Sequence, residues 1–226
     1  MKLSKQESGN VGMIAVALIV GLVIGFAALR ITDNKKTVTS VAPTSATKAA
    51  DLRSDLVTLG VEHMILTDQA VNAALDGSAN ATATGAALYA NGNDIGAAVG
   101  SVYGKSAETT FDSVWKLHLD QFVAYAVADS KHDEAGKTAA LDTIASGYTK
   151  PLSQFLAKAN PNLPEATLES VLGDHVAMTA VMIDDHVQGK YADEATELKM
   201  ANKHIAGIFS TLAGGIVKQY PAKFQN

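Results

Sequence analysis

Six histidines are the residues of this chain with the most chemistry to offer: His63, His118, His132, His175, His186 and His204. Cysteine is absent, which removes disulfides, thiol nucleophiles, Fe–S clusters and cysteine-type zinc sites. Three of the histidines end similar segments, VEH at His63, KLH at His118 and GDH at His175, with spacings of 55 and 57 residues. Each lies on the apolar stripe of its own segment. His63 falls between Leu59 and Leu66, His118 between Trp115 and Phe122, and His175 between Leu172 and Met178. Three imidazoles brought to one axis would bind a transition metal and leave a coordination position open, as three-histidine zinc sites do. Copper and zinc are the ions that imidazole suits. Glu62, Asp174, Asp94 and His204 stand beside these histidines or at matched places, where they would add ligands or hold the rings. The competing reading is packing: a histidine on an apolar stripe also serves as a core residue bonded to a neighbouring helix. Three at matched positions would then record a duplicated packing role.

Other chemistry finds little support. There is no G-x-S-x-G, H-E-x-x-H, P-loop or dinucleotide fingerprint. A di-iron carboxylate centre wants Glu-x-x-His pairs, and no E-x-x-H occurs. The run Asp184-Asp185-His186 reads as a solvated helix end. The formal net charge is -5 and no basic block is present, so the chain lacks a nucleic-acid footprint.

Helices must position these residues. Leu52, Leu56, Leu59, His63, Leu66 and Ala70 follow each other at helical spacing. Phe111, Val114, Trp115, His118, Phe122 and Tyr125 form a second such stripe. Glycine after Asp76 and the Asn160–Pro164 run punctuate the pattern, and no segment alternates like a strand. Fourteen residues beyond the three aligned histidines stand Gly77, His132 and Gly189, at expected hairpin turns. The segments ALYANGND, ALDTIASG and ELKMANKH then align, matching Asp94, Gly147 and His204. The expected fold is all-α: a six-helix bundle of three hairpin repeats over about 51–104, 105–160 and 161–226. One amphipathic hairpin cannot bury its own stripe, so three would pack around a shared core. A stacked row of hairpins is the other arrangement open to such a repeat.

The stretch SVYGKSAETTFDSVWKLH, the ANPNLP linker, the histidines of VEH, KLH, GDH and NKH, and the ending VKQYPAKF together resemble an uncharacterised helical domain of secreted and surface proteins of bacteria. The likeness spans about residues 52–224. That domain often sits beside a copper-amine-oxidase N-terminal-like domain. The resemblance implies a helical fold and a place outside the cytoplasm. It implies no activity, and the copper label belongs to the neighbouring domain.

Residues 11–29 read VGMIAVALIVGLVIGFAAL, free of charge, and mean hydropathy over the chain is +0.10. As a helix the run rises about 28 Å, close to the hydrocarbon thickness of a bilayer. The expected layout is a cytoplasmic N-terminus over 1–10, a transmembrane anchor over 11–29, a flexible Thr/Ser/Ala stalk over 30–50 and a helical domain over 51–226. Lys2 and Lys5 precede the run while Arg30, Lys35 and Lys36 follow it, which counts against this orientation. A basic start before an apolar run is nevertheless the usual export signal, so the domain is placed outside the cytoplasm, either anchored or secreted after signal cleavage. The resulting expectation is a single-pass binding module without catalysis, its histidines taking copper or zinc. The alternative is an envelope structural or surface interaction protein without metal.

Overall fold

The computed structural model describes residues 47–225. The expected anchor and all but the last four residues of the expected stalk lie outside the described residues. Among the described residues no helix is long and apolar enough to cross a membrane. The folded part starts earlier than Asp51. Thr47 is the N-cap, its hydroxyl accepting from the Ala50 N–H at 3.1 Å, and the first helix runs from Lys48.

The helices are α1 Lys48–Leu75, α2 Ala81–Tyr103, α3 Lys105–Asp129, α4 Glu134–Ile144, α5 Lys150–Ala159, α6 Glu165–Val187 and α7 Tyr191–Gln219. A π-helical turn, Ala145–Thr149, joins α4 to α5 into one rod. A 3-10 turn, Pro221–Phe224, follows α7. No strand occurs among the described residues. Between α2 and α3 there is a single residue, Gly104 at φ +91°, so α3 begins at Lys105. Positive φ lets one glycine do the work of a loop.

The hairpin turns repeat at the level of the backbone. Gly77, His132 and Gly189 all adopt the left-handed conformation, at φ +63°, +56° and +69°. The N–H of the following residue bonds back in the same way in each: Ser78 to the Ala73 carbonyl, Asp133 to Ala128 and Lys190 to Asp185, at 2.8–2.9 Å. These are three Schellman closures of three helices.

The helices form a closed ring. α2 packs on α1 and α3; the α4–α5 rod packs on α3 and α6; α7 packs on α6 and α1. The first helix of each hairpin, α1, α3 and α6, also meets the other two at the centre. Three inner helices carry the aligned histidines and three outer helices fill the grooves between them. The hairpins therefore surround an axis instead of stacking in a row. Where the outer helices come close, glycine permits it. A Cβ on Gly96 or Gly100 of α2 would run into Asp112 or Glu108 of α3, and one on Gly60 of α1 would strike the Phe209 ring of α7.

Polar clamps join the helices near the hairpin turns. Lys137 of α4 bonds Asp129 of α3 at 2.7 Å and Asp184 of α6 at 2.9 Å, and Tyr125 donates to Asp184 at 2.8 Å. Between α1, α6 and α7, the His186 ring lies 3.1 Å from Glu194 and 3.2 Å from Asp76. Asn72 donates to Glu194 at 2.6 Å. Asp185 and His186 are buried, so this helix end is not solvated as its charge suggests. The residues that draw it inward are 8 and 110 positions away in sequence, beyond the reach of a local pattern.

Candidate metal centre

The closed ring brings His63, His118 and His175 together in the interior, at 1%, 0% and 2% exposure. One ring nitrogen from each lies within 4.8 Å of the others. Ring centroids are 5.6 Å apart for His63 and His118, 6.1 Å for His63 and His175, and 6.5 Å for His118 and His175. Five of the six ring nitrogens, Nδ1 of His63 and both of His118 and His175, have no hydrogen-bond partner. Buried polar atoms are rarely left without a partner.

An aromatic shell holds the rings. Trp115 stands 4.9 Å from His63 and 4.6 Å, edge-on, from His118. Tyr148 stacks on His118 at 4.2 Å. Its hydroxyl is buried without a partner, and burial raises its pKa. The π turn delivers Tyr148. One extra residue in the turn shifts the register, so helical periodicity gives no hint of that side chain. A weak hint existed in the repeat, because the residues after the three aligned octets, Ile95, Tyr148 and Ile205, are all buried.

Burial sets the protonation state. Desolvation lowers the His63 pKa from 6.5 to about 4, with Asn91 pulling the other way. It lowers His175 to about 3, helped by repulsion from His63 and His204. His118 is held well below 6.5 by desolvation and then by its two partners. All three are neutral at pH 7, with lone pairs available for a metal. Thr67 and Thr179, one turn beyond His63 and His175, turn their hydroxyls back to the carbonyls of those histidines at 2.8 and 2.9 Å. Their single O–H donors are therefore spent on the backbone.

The other residues singled out from sequence lie elsewhere. His204 is half-buried, its Nε2 2.8 Å from the Val171 carbonyl of α6, and the cluster of close donors does not include it. Asp94 and Asp174 are exposed. Glu62 is exposed too and accepts from Asn91 at 3.3 Å, so it reaches the site only through Asn91, a residue whose type and spacing gave no sign. Neighbours of an inward-facing helical residue point outward, which is why Glu62 and Asp174 miss the centre.

The arrangement can hold one ion. The centre of a triangle with sides of at most 4.8 Å is at most about 2.8 Å from each corner, so each ring would close by no more than about 0.7–0.8 Å to reach metal–nitrogen distances near 2.0–2.1 Å. No family model, curated protein or solved structure matches the chain.

Proposed function

We propose that the helical ring is a metal-binding module without catalysis, taking one copper ion in its cuprous state at His63, His118 and His175. The observation that carries this is the convergence of three buried, neutral imidazoles with five unpartnered nitrogens. Charge favours copper(I) over zinc(II). No carboxylate hydrogen-bonds the three rings among the described residues, so no negative charge beside them offsets that of a bound ion. The cost of burying an ion grows with the square of its charge, so a monovalent ion suits an aromatic, carboxylate-free centre better than a divalent one. Imidazole suits copper well. The aromatic packing around His118 supports the alternative, a structural protein whose histidines only fill space.

Copper content separates the two. Purified full-length chain is expected to retain one copper(I) per molecule against a competing chelator. His118→Phe and His175→Leu, which refill the space, are expected to retain none while keeping the helical circular dichroism. Equal copper in the variants, or none in the parent, would leave the packing role. The location follows the sequence expectation of a domain held outside the cytoplasm. An impermeant thiol label on a Ser40→Cys chain in intact cells reads it; labelling only after lysis places the domain inside.

A further inference from the structure

A cavity of about 270 Å³ leads away from the three histidines between α1, α2 and α3, toward the hairpin-turn end of the ring. Its inner end is formed by His63, His118 and His175. Its outer part is bounded by Val123 and Val127, which are 53% and 45% exposed, unusual for large aliphatic residues on α3. No Asp, Glu, Lys or Arg lines it. The O–H donors of Thr67, Thr179, Tyr89 and Ser130 in its wall are already committed, to the carbonyls of His63 and His175, to Asp120 and to the Val127 carbonyl. The atoms at its inner end without any hydrogen-bond partner are imidazole nitrogens.

Size and lining together narrow what fits. A dry cavity of about 150 Å³ takes one benzene ring, and sites for drug-sized ligands begin near 300 Å³. A charge carried on the body of a ligand, away from the ion and against the apolar wall, would lose its hydration here with nothing to replace it. A three-nitrogen metal centre would keep one position open, and this cavity is the space beside the three rings into which a further ligand would have to come.

Resting on the metal reading above, we infer that the cavity binds a small neutral, largely apolar molecule bearing one lone-pair donor, which occupies the open position of the metal while its apolar body lies between α1, α2 and α3. The donor completes the coordination, and the apolar wall selects the body. Binding breaks no covalent bond and consumes no electron.

Gly85 of α2 provides the control. It lines the cavity, and a Cβ added there meets nothing within 4 Å, so a larger side chain can be placed at the cavity wall without striking its neighbours at the Cβ. The experiment is calorimetric titration of copper-loaded full-length protein at pH 8 with 4-phenylimidazole, beside its charged counterpart imidazole-4-acetate. Copper content is measured on the same samples. The expected result is saturable binding of the neutral probe, at least tenfold tighter than the charged one, weakened at least tenfold by Gly85→Phe at undiminished copper. Copper retained with no probe binding, or with binding that ignores probe charge or Gly85→Phe, overturns the cavity assignment and leaves the metal reading intact. Failure to load copper overturns both.

Discussion

The three histidines are held in a state that water would not choose. An imidazole in solution takes up a proton below about pH 6.5, yet burial keeps His63 neutral to about 4 and His175 to about 3. Below pH 6.5 the unfolded chain therefore binds protons that the folded chain refuses. Stability is full above 6.5 and falls as the pH drops through the window down to those lowered values. Each histidine contributes a slope of about 1.4 kcal/mol per pH unit at most. Asp68 acts in the opposite sense between 3.8 and about 6, because burial and Glu194 favour its protonated form in the folded chain. The expected outcome of denaturant titrations of metal-free protein between pH 8 and 5 is a marked loss of stability below 6.5, shallower in His118→Phe and His175→Leu. A flat profile would mean that these rings are hydrated or protonated in the fold. Their burial could be read from the sequence, because each sits between aliphatic or aromatic neighbours on one stripe. Asn91 and Tyr148 could not, since one faces the site from an alanine-rich helix and the other arrives through a π turn.

At the scale of the element, the hairpin turn is the repeating unit. Gly77 and Gly189 adopt positive φ at little cost, but His132 holds the same conformation with a Cβ, at φ +56°. The left-handed region costs an ordinary residue roughly 1 kcal/mol. His132→Gly is accordingly expected to stabilise the protein by about 0.5–1 kcal/mol, and Gly77→Ala to destabilise it by about 1 kcal/mol. Chemical denaturation of the two variants checks both; a destabilising His132→Gly would show that the ring of His132 is itself engaged. The turns were legible because a helix-ending glycine stands at the same distance beyond His63 and His175, which marks His132 as the matching turn beyond His118. The boundaries were less so. Thr47 captures three residues of the stalk into α1, and Gly104 closes a turn without the loop that a stretch of serine and threonine suggests. The hydroxyls of Thr109, Thr110 and Ser113 bond back to carbonyls four residues earlier, which leaves α3 helical through that stretch.

For the whole described molecule, the decisive fact is closure. Three amphipathic hairpins can form a row or a ring with the same stripes, so periodicity alone leaves the matter open. The contact of α7 with α1 decides it, and there Gly60 lets the Phe209 ring lie against the α1 backbone. Only in the ring do three matched positions on α1, α3 and α6 face one axis, which turns three core histidines into one cluster of donors. The clamps around Lys137 and His186 fasten neighbouring hairpins at the turn end of the ring, outside the cluster. X-ray absorption at the copper edge of copper(I)-loaded full-length protein tests the central claim most directly. The expected spectrum has a first shell of three nitrogen scatterers near 2.0 Å with the multiple-scattering pattern of imidazole, lost in His118→Phe. A first shell dominated by oxygen or by methionine sulfur, or an imidazole pattern that survives His118→Phe, would contradict a three-histidine metal centre.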